Sequence, residues 1–457
     1  MGTNVKKVWN ISKRTLFVGF LIQAMLFDSA SFAFAPAMSA SDLTMPQFWQ
    51  EQAPPETGIS SPALKEPWDQ MRSRVLNDEA NRISEDFKIP EPLRQRTEFW
   101  FDIYTRYGSN EHIIHHVLYP WIVFKVIDTN EMVATGKGPE WLRKDRAEKF
   151  VRGEARAIRK SLHKLARMKN YDNLAGLEKD LFEKLQSLPG TRRHVFREAA
   201  RNVRKQLGQR DFFRNGLVNS SRYLPYMEKQ FEDQGLPVEL TRIPFVESSF
   251  NELAFSRAGA SGIWQIMPYT GRSFMIVTPT IDERNSPIKA SQMAARLLKQ
   301  IYRGTKSWDL AVTSYNHGIG NLRKAMRRAH SKDLATIIKR YHRGDFKFAS
   351  SNYYVCFLAA LHAEKYNEMV FNDLSRQPLQ ESEVVFLKHK TSLSQILKLT
   401  GLSRDQLLSY NLDLKSVLAK RVRGALPRGF ELHVPKGLAQ AEILGSHQTS
   451  KIRQTSI

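Results

Sequence analysis

The 457-residue sequence contains one cysteine, Cys356. A single thiol excludes a disulfide within the chain, and its place far from the amino terminus excludes a lipid-carrying cysteine there. Cys356 lies in an apolar stretch with no histidine motif beside it, and it reads as a small buried hydrophobe rather than a nucleophile. Acidic residues are outnumbered, with 46 Asp and Glu against 69 Lys and Arg, a formal net charge of +23 and a pI near 9.9. Such a balance favours approach to anionic polymers: nucleic acid, anionic lipid surfaces, or wall polymers that carry carboxylates. Recognisable helix-turn-helix, zinc and RNA-binding motifs are missing, which removes the usual support for nucleic acid. A wholly disordered chain is excluded by 42% hydrophobic and 25% charged residues. The length exceeds what one hydrophobic core serves and suggests two to four units.

The organisation along the chain is read from punctuation and periodicity. Residues 1–38 have the three-part layout of a secretory signal: Lys6, Lys7, Lys13 and Arg14, then the apolar run Leu16 to Phe27, then small-residue sites near Ala33 and Ala35. The apolar run is shorter than the roughly 20 residues of a spanning helix, and Asp28 interrupts its extension. A periplasmic protein without a lipid anchor is expected, with peripheral membrane contact as an option and the oligomeric state open. Residues 39–215 form a basic, mostly helical region that opens with the polar stretch Ser39 to Gly58. In it, helical spacing recurs from Trp68 to Phe87 and from Ile158 to Leu185, and a strand or edge hairpin is predicted over Val117 to Ile127. Residues 216–368 read as a compact helical domain. It has predicted helices from Leu236 to Ser249, from Pro287 to Tyr302 behind an N-cap at Ser286, from Trp308, and from Asn352 to Tyr366. Residues 380–437 read as a small β-α-α-β module, and 446–457 as a polar tail. The fold class expected is mainly α.

One stretch carries chemistry: FVESSFNELAFSRAGASGIWQIMPY, from Phe245 to Tyr269. It puts a carboxyl, Glu247, at the end of an apolar helix among Ile243, Phe245, Val246 and Phe250. Walled off from water, such a carboxyl keeps its proton near neutral pH, as a general acid must. Gly259 and Gly262 allow close backbone approach by a long chain lying in a groove. Gln265 offers a donor and acceptors suited to an amino sugar. Spacing alone is equally compatible with a solvated glutamate at a helix end followed by turn glycines.

Three ordered motifs, ESSF, GASGIWQIMPYTG and SYNHG, resemble the lytic transglycosylase family with its goose-lysozyme-like fold, especially the membrane-bound transglycosylase D branch. The resemblance spans about Asn219 to Tyr366. It implies Glu247 as the catalytic acid and base, and Ser248, Ser256, Gln265, Met267, Tyr315, Asn316 and Tyr353 as groove residues. It implies cleavage of the bond between N-acetylmuramic acid and N-acetylglucosamine in peptidoglycan without water, leaving a 1,6-anhydromuramyl end. No cofactor or metal is implied. A goose-type muramidase that hydrolyses the same bond and an inactive wall-binding scaffold are the alternatives. Leu393 to Ile396, the LTGLS from Leu399, Asn411 and Leu426 to Gly429 more weakly resemble a LysM repeat, a sugar-binding module; packing against the catalytic domain is the competing role.

Two departures from the family pattern stand out. Glu252 replaces a proline and adds a second carboxyl in the loop after Glu247; Ala349-Ser350 replaces Glu-Thr ahead of Tyr353. Elsewhere, His112, His115 and His116 have a spacing that would suit metal ligands on a helix, but the β-branched residues after them favour a strand, which would scatter them.

Overall fold

Helical spacing of apolar residues becomes helix from Trp68 onward in a computed structural model, which describes residues 66–341, 346–371, 374–414 and 424–438. The signal-like segment 1–38 and the tail 446–457 lie outside the described residues. Helix α1 (Trp68–Leu76) is shorter than the spacing to Phe87 suggested. Asp78 and Asn81 take left-handed backbone angles, and the Asp78 carboxylate accepts from the Arg82 and Ile83 amides at 2.8 and 3.1 Å. A side chain that satisfies backbone donors in this way competes with the helix and ends it.

Helix α2 (Arg94–Thr105) leads into a three-stranded antiparallel sheet of order β2-β1-β3, built from β1 (Glu111–His116), β2 (Val123–Asp128) and β3 (Val203–Leu207). The strand expected over Val117 to Ile127 is thus the second arm of a hairpin whose first arm lies upstream, and Pro120 sits in the turn, where its missing N–H costs no ladder bond. Between β2 and β3 run α3 (Asn130–Thr135), α4 (Glu140–Leu165), α5 (Gly176–Leu185) and α6 (Arg192–Arg201). Helices α4 to α6 share with the sheet a core of Ile114, Phe124, Val151, Ile158, Leu162, Leu181 and Phe196. The two ends of this unit meet: the Gly208 amide donates to Glu111 O at 2.9 Å and the Arg210 amide to Tyr107 O at 2.9 Å. A Cβ on Gly208 would lie 2.4 Å from Gly108 O, so the chain leaves and returns through one crowded point.

The described part of the region expected over 39–215, residues 66–215, is divided by its cores. Met71, Trp100 and Tyr104 belong to the same core as Phe245 and Phe357, whereas residues from Ile114 to Val203 form their own. In the large core, α7 (Arg210–Ser220), α8 (Leu224–Glu232), α9 (Ile243–Ser248), α10 (Pro268–Arg272), α11 (Pro287–Thr305), α12 (Trp308–His317), α13 (Ile319–Ala329), α14 (Leu334–Arg340), α15 (Phe348–Lys365) and α16 (Asn367–Val370) follow in order. The helix expected from Leu236 to Ser249 is a 3-10 turn, Val238–Arg242, followed by the short α9, because Pro244 cannot donate the bond a continuous helix would need. Ser286 caps α11 by accepting from the Lys289 amide, with Pro287 in the first turn. Helix α15 is buried along nearly its whole length, as an all-round apolar pattern requires.

The carboxy-terminal segment pairs β4 (Ser382–Phe386) with β7 (Glu431–Pro435), antiparallel, with Val384 opposite His433. A second short pair, β5 (Thr391–Ser392) with β6 (Ala425–Leu426), adds to the β-α-α-β order expected. Helices α17 (Leu393–Thr400) and α18 (Arg404–Tyr410) each start with a capping box, Ser392 with Gln395 and Ser403 with Gln406. Asn411 fastens the module internally: its amide group donates to Leu407 O and His433 O and accepts from the His433 amide. Among the described residues no helix is long and apolar enough to cross a membrane.

Candidate active site

Glu247 stands in the last turn of α9. The helix is held at its start by Arg242, a buried side chain whose Nε bonds Glu364 Oε2 at 2.9 Å and whose Nη1 pairs with Glu228. It is stopped at its end by Ser249 and Phe250, both with left-handed backbone angles (φ 46° and 53°). Phe250 is nonetheless fully buried, edge-on to Phe245 at 4.6 Å, and this packing holds a conformation that non-glycine residues ordinarily avoid. The Glu247 residue is 9% exposed and its Oε1 accepts from the Tyr353 hydroxyl. Burial raises its pKa from the usual carboxyl value to about 7, against the Tyr353 bond, which acts to lower it. A carboxyl in this state holds a proton near neutral pH and can give it up, as general acid–base work requires.

Two more phenols surround it. Tyr315 donates to Trp264 O at 2.8 Å. Burial, and then the Glu247 charge, drive its pKa and that of Tyr353 well above the phenol range, so both stay protonated donors. Tyr104, from α2, is fully buried and also feels the Glu247 charge. Nothing in the sequence pattern around Tyr104 set it apart from other core aromatics.

The glycine-containing loop is joined to α9 through the Ser248 hydroxyl. Ser248, expected in the groove, is fully buried and spends its hydroxyl on Ile263 O at 2.8 Å. Ser256 accepts the Ala260 amide at 2.9 Å and closes the turn that contains Gly259. Gln265 is half-buried with a left-handed backbone (φ 45°) and donates to Gly262 O at 3.0 Å. Met267 is exposed and Asn316 half-buried beside Tyr315. A residue the sequence reading missed, Arg284, lies behind the loop: its Nη1 donates to Gly259 O at 2.7 Å and Ile266 O at 2.9 Å. A lone arginine just before a helix carries no motif by which to find it.

The two departures have structural explanations. Glu252 accepts from Arg222 Nη1 at 2.8 Å and from the Tyr223 hydroxyl at 2.7 Å. It lies in the loop after α9, as expected, but tied to these partners. Ser350 keeps a hydroxyl that bonds His317 Nδ1 at 2.9 Å.

The three early histidines lie on β1 and face different surroundings. His115 packs against Phe99 and Phe348, and His116 against Tyr119 and Phe124. Burial lowers His112 and His116 to about 4 and His115 to about 3, which leaves all three neutral. His116 Nδ1 accepts from the Leu118 and Tyr119 amides and shapes the hairpin turn. Cys356 is buried, and burial pushes its thiol well above the usual range, which suits a packing residue.

Residues 226–338 match the transglycosylase SLT domain family, a segment that holds Glu247, the glycine-containing loop, Tyr315 and Asn316. Tyr353 comes from α15, beyond the matched segment. Membrane-bound lytic murein transglycosylase D of Escherichia coli strain K12 is 29% identical over 134 residues, as is the same protein of Escherichia coli O6:H1. Each match covers 29% of this chain and 30% of the relative, so the chain spans about a third of the length of these relatives. Over residues 226–338 the chain therefore carries a transglycosylase SLT domain, and over 134 residues it is similar to lytic murein transglycosylase D.

Proposed function

We propose that the protein is a peptidoglycan lytic transglycosylase in which Glu247 alone serves as acid and base. The observation that carries this reading is the buried carboxyl of Glu247, with a pKa near 7, bonded to Tyr353 and flanked by Tyr315. The other carboxyl of the motif, Glu252, is held by Arg222 and Tyr223. That arrangement favours a one-carboxylate mechanism over the paired carboxylates of most glycosidases.

Glu247 protonates the oxygen between N-acetylmuramic acid and N-acetylglucosamine. The 2-acetamido oxygen stabilises the positive anomeric carbon. Glu247, now ionised, takes the proton of the muramic C6 hydroxyl as that oxygen closes on C1. One C–O bond breaks and one forms, and no water is consumed. Because nucleophile and electrophile belong to the same sugar, the closure is intramolecular, which lowers its barrier by several kcal/mol. Met267, Gln265, Ser256, Asn316, Tyr315 and Tyr353 line or shape the groove, and Ser248 supports it from below through Ile263. The LysM-like module either binds glycan or packs on the catalytic domain, and the chain works in the periplasm after export. Its partner is the glycan strand. Mass spectrometry of digests of purified sacculi tests the reading: anhydromuramyl ends, one water lighter than reducing ends, are expected. A digest of reducing ends would assign a hydrolase instead, and no release at all would assign a scaffold.

A further inference from the structure

The carboxy-terminal module meets the catalytic domain through buried charge as well as apolar contact. Ile281 belongs to the module's core, together with Val385, Ile396 and Leu432. Lys289, on α11, reaches Asp413 of the module: Nζ to Oδ2 is 2.8 Å, with side chains 8% and 2% exposed. The same Nζ lies 3.2 Å from Glu283 Oε1 and 4.4 Å from the centre of the Phe430 ring. Burial opposes the charge on Lys289, but Asp413 and Glu283 outweigh it and hold the ammonium protonated. A buried pair of this kind discriminates strongly between a seated and an unseated partner, since separating it leaves a charge without compensation.

The contact continues toward the groove. Asp413 O accepts the Asp282 amide at 2.8 Å. The Asp282 carboxylate grips Arg284 in two places, Nε to Oδ1 at 2.8 Å and Nη2 to Oδ2 at 2.7 Å. Bidentate pairing fixes the plane of the guanidinium, and its third nitrogen is then aimed at Gly259 O and Ile266 O, at 2.7 and 2.9 Å. Next along the strap, Asn285 Oδ1 accepts from Ser261 at 2.6 Å. Gly262 lies so close that a Cβ there would meet Arg284 O at 1.9 Å. Segment 282–285 is thus sandwiched, with the module on one side and the groove loop on the other.

We infer that the carboxy-terminal module positions the groove loop 259–267, with Asp413, Asp282 and Arg284 as the positioning residues. The module then has a second role beside any binding of glycan: it completes the backing of the loop that presents Gln265 and Met267. This rests on the proposed reading of the groove, but its first test does not.

Hydrogen exchange on the full chain supplies that test. In Asp413→Ala, amides of 259–267 are expected to exchange at least about tenfold faster, with those of α15 unchanged, as local rather than global opening requires. On soluble glycan fragments, kcat/KM is expected to fall about tenfold in Asp413→Ala and in Arg284→Lys, and the double variant to be no worse than the poorer single, because residues acting through one path are not additive. Should Asp413→Ala not fold, Asp413→Asn, which keeps the shape and one acceptor for Lys289, is read by the same criteria. Loop exchange within about twofold of wild type, a rise spread equally over the catalytic domain, or additive losses would each overturn the inference. If wild type itself releases no fragments, the transglycosylase reading fails while the exchange result still decides the role of the module.

Discussion

The Tyr353 hydroxyl bonds Glu247 Oε1 across the gap between α15 and α9. A second connection, the buried pair of Arg242, which precedes α9, with Glu364 of α15, lies five and eleven residues from it along the chain. Helix α15 is itself fixed from behind: Asn352 Oδ1 accepts from Arg96 Nη1 at 3.1 Å and from Trp100 Nε1 at 3.0 Å. The phenol therefore has little freedom relative to the carboxyl it contacts.

Tyr353→Phe removes a hydrogen bond that acts to lower the pKa of Glu247. The pKa should rise further, so the alkaline limb of the pH–rate profile should move to higher pH. The rate at pH 7 should fall about tenfold from lost alignment of the carboxyl. A profile that keeps its alkaline limb in place would show that the bond does not act on the carboxyl in solution.

Glu247→Gln keeps the shape but removes the transferable proton, and activity on sacculi should drop at least about a hundredfold. Its stability has a predictable sign. The unfolded carboxyl ionises near 4.5, whereas the folded one keeps its proton to about 7. Wild type therefore binds more protons when folded and loses stability as pH rises through that window. The glutamine has no such loss. At pH 8 the variant should be the more stable by up to about 3 kcal/mol, with the ionisation-linked gap gone by pH 4. Chemical denaturation at the two pH values measures it, and an equal difference at both would place the ionisable group elsewhere.

Much of this site was legible because its signals are local. Ser286-Pro287 foretold the start of α11, and the apolar run around Tyr353 foretold a buried helix, each from side chains that act on their own segment. Glu247 was readable for a similar reason, since its apolar neighbours Phe245, Val246 and Phe250 are adjacent in sequence. What escaped depends on contacts distant in sequence. Tyr104 reaches the site only because α2 packs on α15, and Arg284 matters only because the loop folds back over it. The helix predicted from Leu236 to Ser249 breaks at Pro244, whose missing N–H lets a new helix start there but cannot continue an old one. The division of residues 66–215 between two cores could not be read either, because helical periodicity shows that a face is buried but not against what.

Gly262→Ala tests the close approach of the loop to its strap. The backbone there is left-handed (φ 74°), and the added Cβ would meet Arg284 O at 1.9 Å and Arg284 C at 2.9 Å. Both obstacles are backbone atoms, so no side chain can rotate away. A loss of at least about 3 kcal/mol is expected, combining the strained backbone with overpacking. Gly259→Ala shares the left-handed angle but meets only Pro268 at 3.5 Å; it should cost less, about 1–2 kcal/mol. Equal melting temperatures for the two variants would contradict the packing described.

Glu252→Ala addresses the chemistry. The carboxylate bridges Arg222 and Tyr223, with side chains of Arg222 and Glu252 about one-fifth exposed, at 21% and 17%. Its removal should lower stability by about 1–2 kcal/mol, the range for a hydrogen-bonded charge near the surface. Arg222 keeps a bond to Gln380 through Nη2 at 2.7 Å, which limits the damage. If Glu247 acts alone, the variant should still release anhydromuramyl ends at a rate within about threefold of wild type, because no proton passes through residue 252. Were Glu252 instead the base that activates water, wild type would release reducing ends and the variant would release almost none. The two products differ by one water per cleavage, so a single mass spectrum of each digest separates the mechanisms. A wild-type digest dominated by reducing ends would overturn the transglycosylase assignment even with Glu247 essential.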